Sequence, residues 1–260
     1  SNPLEILFYF ILGILSAVVS WIFIKVLYFS EDLWDNKFKV PEYVKASIGG
    51  LIIGGIALAF PQIMGVGYDS INWALSGESL WYIALILIFV KIFATSITLG
   101  SGGSGGIFAP SLFMGAMVGA FFGYIVNTLF PGITAGSGAY ALVAMGGLVA
   151  GTTRAPITAI IIVFELTKDY NIILPLMVTC IISTILSAKF SRESIYTLKL
   201  LRRNIKIKNR AEVNIMKSIH VKDIYSRQFD VIPENMDFQS VVKLLIKKNM
   251  PYLFVHDLNG

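Results

Sequence analysis

Apolar residues run almost unbroken over residues 4–29. As a helix rising 1.5 Å per residue, that run is long enough to cross about 30 Å of hydrocarbon. No basic segment precedes it and it is too long for the core of a leader peptide, so it reads as a span. Residues 30–45 turn polar and carry Pro41, the pattern of a loop. Residues 46–60 are apolar but short, with Gly49, Gly50, Gly54 and Gly55 placed for close helix approach before Pro61. Residues 62–79 are mixed and leave room for one short helix, and 80–99 form a second full span.

The next seven residues, 100–106, read Gly-Ser-Gly-Gly-Ser-Gly-Gly. A helix is expected to restart at 107–108 and run to about 128, with Gly115, Gly119 and Gly123 at four-residue spacing for tight packing. Residues 131–138 form a turn. Two short apolar segments follow, 139–150 and 156–166, with Arg154 between them and Pro156 suited to the first turn of the second. Residues 171–188 make a further span and 191–204 a last, more polar helix. Several segments are too short to cross alone, and glycine or proline interrupts others. Broken helices of this kind are used by transporters that hold their substrate near the midplane.

Composition agrees with a membrane domain. The chain is 55% apolar and 14% charged, against about 25% charged in soluble domains. Between residues 46 and 153 the only acids and bases, tyrosines aside, are Asp69, Glu78 and Lys91. The lone Cys180 lies in an apolar run, and both histidines, His220 and His256, lie in the polar tail. No disulfide framework and no metal site is therefore expected. HExxH and GxSxG are absent, which argues against an intramembrane hydrolase and against an enzyme in general. The net charge of +5 comes largely from Arg192, Lys199, Arg202, Arg203, Lys206, Lys208 and Arg210. A basic cluster directly after the last apolar segment marks a cytoplasmic flank on an anionic bilayer, not a nucleic-acid interface.

From residue 209 the composition becomes that of a soluble domain. Asp223-Ile-Tyr, Val231-Ile-Pro, an amphipathic run over 237–248 and a strand at 252–255 suggest alternating strand, helix and strand. A unit of this size is too small to bury a core well by itself.

The glycine run invites three readings. A flexible linker is ruled out because spanning segments flank it, and irregular backbone at membrane depth is tolerated only where buried or lining a wet cavity. A dinucleotide fingerprint fits the letters G-x-G-x-x-G, but no βαβ unit surrounds them. The third is an anion site. Glycine leaves backbone amides uncovered. A helix starting at 107–108 presents N–H groups without intrahelical acceptors, together with the positive end of its dipole. Neutral donors suit an ion that must leave again, whereas a lysine in contact would hold it too tightly.

Gly100-Ser-Gly-Gly-Ser-Gly-Gly-Ile-Phe-Ala-Pro-Ser-Leu-Phe resembles the G-x-F-x-P signature region of the CLC family of chloride channels and chloride/proton antiporters, with Gly106, Phe108 and Pro110 on the signature positions. Arg154-Ala-Pro-Ile-Thr-Ala-Ile, then Phe164-Glu-Leu-Thr-Lys-Asp-Tyr and Ile173-Leu-Pro-Leu-Met, are similar to the family's later helices. The likeness covers nearly all of residues 4–208. It implies an all-α polytopic membrane fold of nine or ten broken helices, corresponding to the second of two inverted repeats. The transmembrane part is expected at 1–208, with an incomplete cytoplasmic CBS-like α/β unit at 209–260.

The resemblance further implies a central chloride held at Gly106, Ile107 and Phe108, through the amides of the last two, with the Tyr196 hydroxyl donating to the same ion. It implies chloride and possible proton transport in a plasma or inner membrane, without a cofactor except for adenine nucleotide at a complete CBS pair. It also implies a homodimer whose face draws on Ile160, Ile161, Phe164, Ile172 and Leu176. Glu165 matches neither of the family's gating and proton-carrying glutamates, and is expected to be structural, paired with Arg154 or Lys168. The family's front-half motifs, G-S-G-x-P and G-[KR]-E-G-P, do not occur in the chain, so these residues alone are not expected to make a selective pathway. Channel and antiporter stay equally open, as do a fluoride- or nitrate-selective relative and a broken-helix carrier of another anion. A membrane-anchored nucleotide sensor is the remaining alternative.

Overall fold

The computed structural model describes residues 5–37, 40–132, 134–191, 193–198, 231–248 and 254–256. The chain divides into two units, Ser1–Ile207 and Lys208–Gly260. Among the described residues the first unit contains eight α-helices. They are α1 (Glu5–Lys37), α2 (Glu42–Ala59), α3 (Tyr68–Ser76), α4 (Trp81–Gly100), α5 (Phe108–Leu129), α6 (Ser137–Thr153), α7 (Pro156–Thr167) and α8 (Ile173–Phe190). Single 3-10 turns sit at Pro61–Ile63 and Tyr170–Ile172. Helices α1, α2, α4 and α5, and α8 with its preceding turn, are long and apolar enough to cross a membrane, while α7 is apolar but has only 12 residues.

Two boundaries differ from the pattern of the sequence. The polar stretch after residue 29 does not leave the helix, and α1 continues to Lys37. Packing overrides polarity here. Ser30 and Trp34, one turn apart on α1, are both buried, and Ser30 Oγ donates to the Ser96 carbonyl of α4 at 2.8 Å. Gly100 makes this approach possible, because a Cβ there would lie 2.6 Å from Ser30 Oγ. Helix α2 starts at Glu42, directly after Pro41, whose carbonyl accepts from the amides of Val44 and Lys45.

The core lies among α1, α4, α5, α6 and α8, around Phe23, Leu87, Phe113, Tyr140, Leu148 and Leu176. Its tightest seam joins α5 to α6. A Cβ on Gly115, Gly119 or Gly123 would fall 2.5, 2.2 or 2.7 Å from α6 backbone atoms, so the expected glycine spacing does bring two helix backbones together. The glycines of α2 do not. Only Gly49 meets a neighbour, Ser101, whereas Gly50, Gly54 and Gly55 have nothing within 4 Å.

Nothing in the apolar run of α1 points to Glu5. Its carboxylate is buried at the start of α1 and accepts from the Tyr9 hydroxyl at 3.3 Å and from the Ala135 amide at 3.0 Å. It thereby ties α1 to the turn before α6. The expected dimer-face set also needs correction. Leu176 is fully buried and Ile172 nearly so within the chain. Leu176 faces inward because α8 packs on α1 and α6, and Ile172 ends the 3-10 turn that leads into α8, which leaves Ile161 as the well exposed member of that set.

In the second unit, β1 (Val231–Pro233) pairs in parallel with β2 (Phe254–His256), with Val231 opposite Phe254. The helix α9 (Phe238–Lys248) makes the crossover that a parallel pair requires. The Asp237 carboxylate accepts from the Ser240 amide at 3.0 Å, and Ser240 holds its pKa below the usual value. Asp223-Ile-Tyr and the basic residues Arg192 and 199–210 lie outside the described residues, as does the expected helix beyond residue 198.

Candidate anion site

The site begins where α4 ends. Ser101 donates its amide to the Ile97 carbonyl at 2.9 Å, and Gly103 donates to Thr98 at the same distance. Between them Gly102 adopts φ +85°, a left-handed conformation that an L side chain resists. At Gly103 a Cβ would lie 2.8 Å from the Thr98 carbonyl oxygen. The tight reversal out of α4 therefore needs both glycines. Past it, residues 104–106 run exposed and without regular structure, and Gly106 has open space where a side chain would stand.

Helix α5 then starts at Phe108, with Ile107 as the residue before its first turn and no side-chain cap. The Ser111 amide closes the first turn onto the Ile107 carbonyl at 3.1 Å. Among the described residues, no backbone carbonyl or side chain accepts from the amides of Ile107, Phe108 or Ala109. Pro110 has no N–H to offer. Three uncovered donors thus stand together at the positive end of a 22-residue helix. Ala109 joins Ile107 and Phe108, the two amides expected from the sequence. The signal was present, since a proline at the third helical position leaves the first two and the preceding residue as the donor set.

The far wall comes from residues 193–198. The Arg154 guanidinium donates to the carbonyls of Ser191 at 2.5 Å and Glu193 at 2.7 Å. Arg154 takes φ 58° as α6 ends, which turns the chain toward α7. The Ile195 amide donates to Thr152 of α6 at 3.1 Å, and the Tyr28 hydroxyl of α1 donates to the Ile195 carbonyl. Ser194 and Thr197 cap one another reciprocally, with amide-to-hydroxyl distances of 2.8 and 3.2 Å. Helix α1 and the C-terminal end of α6 thus hold the short turn that presents Tyr196, which is half exposed.

All four residues singled out from the sequence, Gly106, Ile107, Phe108 and Tyr196, line one cavity of about 500 Å3. Tyr28, Glu31 and Leu99 also line it, none of which the sequence points to. Glu31 falls in the segment read as a loop, so its place one turn beyond Leu27 on α1 is invisible without the structure. Glu165, by contrast, is exposed on α7 and away from the cavity. Among the described residues it makes no ion pair with Arg154 or Lys168, because Arg154 is turned toward the 191–193 carbonyls.

Such a cavity can hold a small anion. It offers backbone donors and a helix dipole on one side and a neutral phenol on the other. The carboxylate of Glu31 opposes them in charge.

Comparison with known proteins shows the family. The family model described as voltage gated chloride channel matches residues 1–188. Chloride channel protein CLC-f of Arabidopsis thaliana is 40% identical over 188 residues, covering 66% of this chain and 24% of the relative. The H(+)/Cl(-) exchange transporter ClcA of Salmonella paratyphi B is 33% identical over 198 residues, covering 75% of this chain and 42% of the relative. A crystal structure of a slow cyanobacterial Cl-/H+ antiporter superposes with a TM-score of 0.69 at 32% identity, over 81% of this chain and 49% of that one. The chain thus spans less than half the length of these relatives. It is a multi-pass membrane protein, and it belongs to the voltage-gated chloride channel (CLC) family.

Proposed function

We propose that this chain supplies one half of the lining of a chloride pathway across a membrane. The observation that carries it is the group of uncovered amides at Ile107, Phe108 and Ala109, opening on the cavity that also contains Tyr196. A conducted ion needs donors that replace part of its water shell without trapping it. Backbone amides and a phenol meet that need. Both relatives named above carry chloride in their descriptions, one as a channel and one as a proton-coupled exchanger. Chloride movement, alone or coupled to protons, is therefore the function assigned. The remaining ligands come from a second set of helices facing the loop, as the length of the relatives suggests.

The central ion sits against Gly106, Ile107, Phe108 and Ala109, with Tyr196 on its other side. The domain boundary lies at 208–209, the second unit is a CBS-like regulatory piece, and the tail is cytoplasmic. Two copies pair through α7 and the outer face of α8, where Ile157, Ile161, Leu174 and Ile181 are exposed. An isologous contact of this kind follows from two-fold symmetry.

Halide efflux from liposomes containing the full-length protein tests the assignment. Chloride flux well above that of a small carboxylate such as acetate is expected. Equal flux of both, or none, would refute it.

A further inference from the structure

Among the described residues, the cavity of Tyr196 is lined by a single charged side chain, and its sign is the wrong one for an anion. Glu31 lines the wall together with Leu27 and Tyr28, and the three share one face of α1. That face exists only because α1 runs on past residue 29. Ser30 and Trp34 are buried, and Ser30 Oγ donates to the Ser96 carbonyl of α4 at 2.8 Å. One turn before Glu31, the Tyr28 hydroxyl donates to the Ile195 carbonyl. The helix that carries the carboxylate is thus anchored to α4 on one side and to the turn of Tyr196 on the other. Its place in the wall is built, not incidental.

The donors in the same cavity do not by themselves choose a monovalent ion. Uncovered amides at a helix start bind sulfate and phosphate readily, because the pull of the dipole grows with the charge of the ligand. Unopposed, the amides of Ile107, Phe108 and Ala109 would hold a divalent anion at least as firmly as chloride, and that ion would obstruct the cavity. We propose that Glu31 is a valence filter, a fixed negative charge that admits small monovalent anions and turns away divalent oxyanions such as sulfate. This rests on the reading of the cavity as part of a chloride pathway. Coulomb energy follows the product of the two charges. At one position Glu31 therefore repels sulfate with twice the free energy it exerts on chloride. Whatever factor it costs chloride in affinity, it costs sulfate the square of that factor. The relation holds at any local dielectric, and a cation behind the carboxylate would weaken both repulsions alike. Tyr196 cannot supply this discrimination, since a neutral donor also attracts the more highly charged ion more strongly.

Calorimetric titration of the purified full-length protein with chloride and with sulfate, near neutral pH and at constant ionic strength, tests the proposal. Wild-type protein should bind sulfate about five-fold more weakly than chloride. Glu31→Gln should strengthen chloride about five-fold and sulfate about twenty-five-fold, so that the two bind about equally. Glu31→Asp keeps the charge and should keep sulfate the weaker ligand. Should Glu31→Gln disturb the end of α1, the wild-type titration still decides, because sulfate binding as tight as chloride there would overturn the filter. Equal factors for the two anions in a folded Glu31→Gln would also overturn it, since they would report a lost contact and not a lost charge. Chloride efflux from liposomes separates the filter from the pathway. The squared relation without efflux would sink the transport assignment and leave the filter standing. Efflux with chloride and sulfate binding indifferent to Glu31→Gln would do the reverse.

Discussion

Two glycine-rich regions lie within twenty residues of each other and use glycine for opposite ends. Along α5, Gly115, Gly119 and Gly123 are closed against α6, each with backbone atoms where a Cβ would go. In the loop before it, Gly106 has nothing within 4 Å and residues 104–106 are exposed. The seam removes side chains so that two backbones can meet. The loop removes them so that backbone amides can meet something that is not protein. Composition cannot tell these apart. What separates them is periodicity, since every fourth residue stays on one helix face, and a crowded irregular run does not.

The largest expected effect lies in the seam. Gly119→Ala places a methyl 2.2 Å from the Tyr140 carbonyl oxygen and 2.4 Å from the Ala141 Cα. Neither is the end of a flexible side chain, so the helices must part. A cost of about 3 kcal/mol or more is expected from overpacking a backbone contact. Thermal unfolding in detergent should show a drop of many degrees, and unaltered unfolding would mean that α5 and α6 do not meet backbone to backbone at Gly119.

In the loop the expected damage is to binding, not folding. Phe108→Pro deletes one of the three uncovered amides. It also disfavours the αR conformation of Ile107, which has φ −102° and ψ −17°. Proline is itself well accepted at a first helical position, so α5 should survive. Loss of a hydrogen bond to a charged ligand amounts to about 1.5–3 kcal/mol, roughly a ten-fold or greater loss in chloride affinity by calorimetry. A fall in stability with intact affinity would assign the loop to the same class as the seam. Tyr196→Phe should act in the same direction but more weakly, by about 1.5 kcal/mol, because it removes one donor to the anion and leaves the backbone at the helix start unaltered. The turn that carries Tyr196 is held by Arg154, Thr152 and Tyr28 through the backbone, so its fold should not change.

Much of this arrangement was legible beforehand. The spans, the helix restart at 107–108 and the α5 glycine spacing follow from hydrophobic runs and glycine periodicity, because lipid enforces both. The end of α1 was not legible. Residues 30–37 look like a loop, and only the buried pair Ser30 and Trp34 against α4 explains why the helix continues. Glu5 was missed for a related reason, since its acceptor role depends on the Ala135 amide, 130 residues away. Resemblance puts Ile172 and Leu176 on an outer face, but the α8 stripe facing α1 and α6 takes Leu176 inside, and Ile172 is buried in the turn before α8. Local pattern fixes where a helix lies in the chain. Which of its faces is inward depends on partners that pattern does not name.

The smallest expected effect is on α2, where glycines share the spacing of the seam but lack its partner. Gly54 has nothing within 4 Å of where its Cβ would be, and α2 is mostly exposed, with Gly49 as its one buried residue. Gly54→Ala therefore meets no clash. Alanine also loses less backbone freedom than glycine on entering a helix, which favours the variant by up to about 0.5–1 kcal/mol. The unfolding temperature should be unchanged or slightly raised, and chloride affinity untouched. The pairing with Gly119→Ala is what makes the result informative, because both change one helical glycine by one methyl. If Gly54→Ala instead costs as much as Gly119→Ala in the full-length protein, the open face of α2 is covered there by another protein surface. The contrast between closed and open glycines would then describe this half of the pathway alone, and α2 would be where the facing set of helices docks.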